Sequence, residues 1–291
     1  MPTLALVLAG VLWGLFWVPM RAVEDSGLTG GSATLVMYAA SVLLFLPLVW
    51  ARRRALRSGG LQLLVTGLIT GTAFCLYASS LLLTDVVRAI LLFYMTPVWS
   101  TLLGWWLLRE RIIASRCVAI ALGLAGLVVI LGLEQGYPAP RNAGDWMGLA
   151  SGIFWAYGSV RLLRAQQIAA FEQTFVFFVG GLVASAVLAL FWFQGAAIRA
   201  SSIDIEGLAL ALAVLIVVFA IPGSALMISA ARLQSPGRVG ILLMGEVVVG
   251  VISAAVLTDE PFGARESIGA LLIVAAGVAE VLAPRSKREG P

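Results

Sequence analysis

The chain has 291 residues, of which 61% are hydrophobic and 12% charged, with a net charge of +4 and no histidine. A soluble domain carries about a quarter charged residues, so this chain lacks the polar surface to cover itself. Charge-free runs of about 18 or more residues recur along it, the length that spans the hydrocarbon of a bilayer. The expected fold class is an all-α polytopic membrane protein; zinc hydrolases, Ser-His-Asp triads and histidine proton relays are excluded by composition.

Ten transmembrane helices are predicted, over 3–21, 32–51, 60–83, 87–108, 115–133, 145–163, 172–194, 207–231, 236–257 and 267–284. The first apolar run, Leu4 to Met20, lacks a basic leader and an A-x-A cleavage pattern, so it reads as a retained helix. It carries Trp13 and Trp17, which are i, i+4 and share a face. Gly-rich or Pro-rich breaks follow at SGLTGG (26–31), SGG (58–60) and GYPAPRNAG (136–144). The third helix holds Cys75, Tyr77, Ser79 and Ser80; no C-x-x-C spacing exists, and Cys75 and Cys117 read as inert buried thiols.

Asp85 lies in the loop before the fourth helix, which opens with Arg88 and continues through Tyr94, Pro97, Trp99 and Ser100. Pro97 removes an intrahelical hydrogen bond and clashes with the carbonyl of Phe93, so a kink is expected there. The sixth contains FWAY, with Trp155 and Tyr157. The ninth, VGILLMGEVVVGVISAAVL (239–257), has Glu246 as its one charge. Arg238 opens that helix, and Glu280 lies near the end of the tenth, where it is expected to snorkel or pair with the basic tail.

With both termini inside, fourteen of the nineteen Lys and Arg residues fall on cytoplasmic segments, and Arg21, Arg88, Arg141, Arg199 and Arg265 fall outside. The positive-inside rule favours that orientation. It also accounts for the net charge without nucleic acid. Trp50, Trp105, Trp106, Trp146 and Trp192 sit near predicted helix ends, as an interfacial belt does. G-x-x-x-G at Gly10/Gly14, Gly67/Gly71 and Gly148/Gly152 reads as close helix packing, with no phosphate-binding lysine after it.

The chain also repeats. Shifted by 150 residues, Ser79 falls on Ser229, Arg88 on Arg238, Leu92 on Leu242 and Glu110 on Glu260. Shifted by 142, Gly10 and Trp13 fall on Gly152 and Trp155. Five helices per copy is an odd number, so the second copy enters the membrane inverted. The expected units are 1–134 and 145–284, followed by a basic cytoplasmic tail at 285–291. Inverted repeats are an architecture of alternating-access carriers, with the site near the midplane.

LLFYMTPVWSTLLGWWLLRERI (91–112) and LLMGEVVVGVISAAVLTDEP (242–261) resemble the motif helices of the drug/metabolite transporter superfamily, specifically its EamA-type carriers. LWG followed by Arg21, and IGALLIVAAGV (268–278), are similar too. The aromatic first and sixth helices resemble those of the YddG-type exporters of aromatic and other neutral amino acids. Val247 departs from the family pattern, which has proline after the glutamate. The resemblance implies ten helices, a bacterial inner-membrane location and efflux of small metabolites.

A charge near the bilayer centre costs at least about 2.5–3.5 kcal/mol, so Glu246 must face the bundle or water. It is either a protonated tie between helices, a proton carrier or a partner for a substrate ammonium. Trp13, Trp17, Tyr77, Ser80, Tyr94, Pro97, Trp99, Trp155 and Tyr157 are candidates to line a cavity with it, against ordinary packing. Arg88, Arg238 and Asp85 are candidate gate residues, against simple snorkelling.

The expected function is a secondary exporter of small amphipathic metabolites, foremost amino acids; a drug or quaternary-cation exporter is the alternative. No cofactor or metal is expected. The expected partners are a small-molecule substrate and the lipid bilayer, with a homodimer left open. An intramembrane enzyme is disfavoured, because the one lysine, Lys287, is in the tail and a single central carboxylate makes no catalytic pair.

Overall fold

The computed structural model describes residues 2–28, 31–132, 139–191, 204–258 and 262–283, and among these every regular element is helical. In chain order the helices are α1 (Pro2–Gly14), α2 (Trp17–Asp25), α3 (Gly31–Ala51), α4 (Arg53–Leu83), α5 (Val86–Phe93), α6 (Thr96–Leu108) and α7 (Ala114–Leu131). There follow α8 (Ala143–Arg164), α9 (Ala170–Phe191), α10 (Ile205–Val214), α11 (Ile221–Ala231), α12 (Pro236–Leu243), α13 (Gly245–Leu257) and α14 (Ala264–Leu282). The protein is a polytopic membrane protein.

Eight of these stretches are long and apolar enough to cross a bilayer, counting α1–α2, α5–α6, α10–α11 and α12–α13 as one each. The other two predicted spans are helical as well. However, α8 carries Asp145, Arg161 and Arg164, and α14 carries Arg265, Glu266 and Glu280. Residues 192–194 and 284 of the predicted seventh and tenth helices, the tail at 285–291, and Trp192, Arg199, Glu260 and Lys287 lie outside the described residues.

Breaks inside spans position the centre of the molecule. In the fourth span the helix stops at Phe93 and restarts at Thr96, with Pro97 in its first turn. The Phe93 carbonyl that proline strands is taken by the Thr96 hydroxyl at 2.5 Å, which satisfies it at membrane depth. In the ninth span the break falls at Met244, between Leu243 and Gly245, without any proline.

The first span breaks at Leu15–Phe16, and the eighth widens into a π stretch at Leu215–Ala220 ahead of Pro222. Neither of these two interruptions, nor the one at Met244, is among the breaks predicted from the sequence. The predicted SGG break is present: Gly60 takes φ 52° and ψ −149° inside α4, so a short basic helix precedes the third span proper.

Packing divides the ends. The face bearing the chain start, here the N-terminal face, holds the ends of α3, α6, α8 and α11 and the starts of α4, α7, α9 and α12. It is tied by Arg161 to Thr66 (3.2 Å), Arg164 to the Leu107 carbonyl (2.6 Å) and Arg232 to the carbonyls of Gln166 and Ile168. Gly67 and Gly71 of α4 meet Val176, Phe177, Gly180 and Gly181 of α9 with backbones touching, and α4–α9 is among the most extensive helix contacts. By contrast, α3 meets the eighth span mainly at the π stretch.

Candidate functional site

The backbone of Glu246, in the first turn of α13, lies against the G-x-x-x-G of the first span. A side chain on Gly10 would stand 3.6 Å from the Glu246 nitrogen, and one on Gly14 would come within 2.5 Å of its carbonyl. Gly14 is therefore required for α1 to reach α13, whereas a Cβ on Gly10 would make an ordinary van der Waals contact. On the opposite side Glu246 accepts a hydrogen bond from the hydroxyl of Tyr94, the residue at which the fourth span breaks. The two helix breaks thus meet through a phenol and a carboxylate.

Glu246 borders a cavity of about 320 Å³ that runs from this junction toward the far face. Trp13, Phe16, Trp17, Phe74, Tyr77 and Phe93 supply most of its aromatic wall, while Met20, Glu24, Leu81 and Leu82 lie toward its outer end. Among the described residues its lining includes two carboxylates, Glu24 and Glu246, and no basic side chain. The wall is braced by its own rings. Tyr77 stacks on Phe93 (4.3 Å between centroids), Trp13 leans on Phe16 and Phe74 (4.9 Å each), and Trp17 donates its indole N–H to Ser253 at 3.0 Å. Such a chamber is apolar with few polar groups, as small-molecule sites are.

Of the residues singled out from sequence, Glu246, Trp13, Trp17 and Tyr77 line this cavity. Tyr94 is buried behind it as the donor to Glu246, and Trp155 is fully buried with its edge against Phe74 (5.2 Å). Ser80 lies instead at the interface of α4 with Gly148 of α8. Pro97 lies against Gly240 where α6 crosses α12. Tyr157 sits under the Arg161 guanidinium, toward the N-terminal face, and Trp99 is not part of the lining.

Phe16, Met20, Phe74 and Phe93 were not singled out by the sequence reading. Nothing in the sequence separates them from lipid-facing residues of equal hydrophobicity.

The gate candidates separate. The Arg88 side chain goes to Asp145 at the start of α8 (2.6 Å) and to the Ala139 carbonyl (2.5 Å), not to Asp85. Asp85 caps α5 by accepting from the Arg88 backbone N–H at 3.2 Å. Thr84 donates to the same Asp145 carboxylate at 2.6 Å, so α4, α5 and α8 are clamped on the far face. Arg238 is in the first turn of α12, half-buried, on the N-terminal face.

Two further expectations change. Glu280 does not snorkel; it is buried and pairs with Arg116 of α7 at 3.0 Å, and Arg116 also approaches Glu110 and Ser235. Cys117 is exposed, while Cys75 is buried. The three G-x-x-x-G pairs all pack against other helices, as expected.

Residues 1–132 match the model of the EamA-like transporter family, a family of membrane transporters within the drug/metabolite superfamily. No curated protein sequence matches the chain. A solved crystal structure, described only as that of a protein, superposes with a TM-score of 0.75 over 97% of this chain and 96% of the other, at 21% identity. At that identity the likeness concerns the fold. The chain is a multi-pass membrane protein whose first 132 residues match the EamA-like transporter family.

Proposed function

We propose that the protein is a secondary transporter that exports small amphipathic metabolites bearing an ammonium group, foremost aromatic and other neutral amino acids. The single observation that carries this reading is the lining of the central cavity: among the described residues, aromatic walls, one deep carboxylate, Glu246, and no basic group. An apolar or aromatic body fits such walls, and an ammonium supplies the missing counter-charge. The carboxylate of an amino acid would face the start of α6 or α13, where the positive end of a half-helix dipole favours an anion.

Movement would come from two inverted halves that rock about this centre. Matching packing supports the inversion. Gly10 of α1 lies on Glu246, and Gly152 of α8 lies on Phe93 and Thr96, the positions related by the 142- and 150-residue shifts. Unequal packing supports a one-sided state: the α4–α9 seam is closed, while its inverted counterpart between α3 and the eighth span is slight. Placing the N-terminal face in the cytoplasm, as the arginine distribution suggests, makes this an outward-facing state in the bacterial inner membrane.

A permanent organic cation is the second reading, because aromatic faces also attract quaternary ammonium groups. Counterflow in liposomes of the pure protein separates the two. Phenylalanine, tryptophan, methionine, threonine, alanine and tetraphenylphosphonium would be offered with and without a pH gradient. Exchange of the amino acids supports the first reading, and exchange of the phosphonium alone replaces it with the second.

A further inference from the structure

A second pocket, of about 350 Å³, opens at the N-terminal face between the α3–α4 and α8–α9 connections. Arg52, Ser58, Gln62, Gln167 and Glu172 contribute its polar lining. Glu172 is 1% exposed, yet its Oε2 atom has no hydrogen-bond partner among the described residues. Arg52 Nε approaches Oε1 at 2.8 Å, and the arginine side chain is 46% exposed. A buried carboxylate with an unanswered oxygen is costly. Here it borders open space beside a reachable guanidinium, a negative and a positive group side by side.

The pocket is joined to the central cavity by rings. The Arg52 guanidinium lies over Phe171 (5.0 Å), Phe171 meets Phe45 (5.5 Å), Phe45 meets Phe178 (5.7 Å) and Phe178 meets Tyr38 (6.1 Å). Tyr38 itself lines the central cavity. The pile lies between α3 and α9, beside the closed α4–α9 seam, so aromatic side chains separate the two chambers.

We propose that this pocket is a second substrate station at the loading side, built for an α-amino acid zwitterion. The substrate ammonium binds Glu172 and its carboxylate binds Arg52, so the ligand replaces the Arg52–Glu172 bridge with two ion pairs of its own. Removing that bridge loosens the α3–α4 connection from α9 at the N-terminal end of the α4–α9 seam, the end that must open for passage to the centre. The inference rests on the amino-acid reading above. It assigns the ion pairing of the substrate carboxylate with a cation to this pocket, because the described residues that line the central cavity include no cation and offer a carboxylate only helix-end dipoles.

The test is calorimetric titration of the full chain in lipid nanodiscs with phenylalanine and with phenethylamine, which lacks the carboxylate. The wild type is expected to bind phenylalanine at two sites and phenethylamine at one. Glu172→Gln removes one phenylalanine site, weakening it at least about tenfold, and keeps the Glu246-dependent one, which also proves that the variant is folded. Arg52→Gln weakens phenylalanine in the same way and leaves phenethylamine unchanged.

Unaltered phenylalanine binding in both variants, with loss in Glu246→Gln, overturns the second station and leaves the proposed function standing. Loss in Glu172→Gln with none in Glu246→Gln keeps the pocket and overturns the central site. Binding of neither compound to the wild type overturns both.

Discussion

The hydroxyl of Tyr94 donates a hydrogen bond to the carboxylate of Glu246, and the two residues sit at the breaks of the fourth and ninth spans, about 150 positions apart in sequence. The phenol and the carboxylate each satisfy the other between the two broken spans. This pairing keeps a carboxylate at the cavity wall without leaving it unpartnered. A bond to such a group is worth about 1.5–3 kcal/mol. Tyr94→Phe is therefore expected to lower the melting midpoint of the purified protein. The double variant Tyr94→Phe/Glu246→Gln should be less destabilised than the two single changes sum to, because they remove one shared interaction. Thermal unfolding followed by tryptophan fluorescence measures this, and additive shifts would show that the two groups do not interact.

Two glycines on different helices, Gly14 of α1 and Gly245 of α13, should respond oppositely to the same change. A Cβ on Gly14 would enter the Glu246 carbonyl and Val249, whereas a Cβ on Gly245 meets nothing within 4 Å. Gly14→Ala should separate α1 from α13 and cost about 1–3 kcal/mol, as overpacking does. Gly245→Ala should be neutral or stabilising by roughly 0.5–1 kcal/mol, the helical preference of alanine over glycine. Melting midpoints of the two variants check both halves of the statement.

The far-face clamp of Arg88 and Asp145 is buried, with side chains 7% and 0% exposed. Breaking such a pair by removing one partner leaves an uncompensated charge and costs about 3–5 kcal/mol, while an apolar replacement of both is tolerated far better. Arg88→Ala and Asp145→Ala should each yield little folded protein on size-exclusion chromatography. Arg88→Met/Asp145→Leu should recover a substantial part. Equal yields for single and double variants would contradict the clamp.

The rocking account predicts reciprocal distances. With Cys75 and Cys117 replaced, spin labels placed at the far-face start of α3 and on α10 should be apart, and labels across α4 and α9 at the N-terminal face close. Substrate that drives the exchange should populate the converse pair of distances in double electron–electron resonance spectra. One fixed distance for each pair, with and without substrate, would contradict the exchange.

Sequence reading reached the spans because charge-free runs need no partner to be recognised, and it reached Glu246 because a lone carboxylate in such a run stands out. Pro97 announced the break of the fourth span by its missing N–H. The break at Leu15–Phe16 lies four residues before Pro19, the same relation that Phe93 has to Pro97, so its signal was present though unread, whereas the one at Met244 is marked only by the neighbouring Gly245.

The cavity wall was legible in part. Trp13, Trp17 and Tyr77 have polar tips that ask for a reason, whereas Phe16, Phe74 and Phe93 are chemically indistinguishable from phenylalanines that face lipid. Long-range partners were beyond reach: Arg88 finds Asp145 57 positions on, and Arg116 finds Glu280 164 positions on. Local neighbours such as Asp85 therefore stood in for them.

The most direct test of the central claim is phenylalanine counterflow in liposomes containing the wild type or Glu246→Gln. The wild type is predicted to exchange phenylalanine, and the variant, whose cavity has lost its deep carboxylate, to exchange it at least about tenfold more slowly at low substrate. Exchange by Glu246→Gln at the wild-type rate across all concentrations would contradict the account.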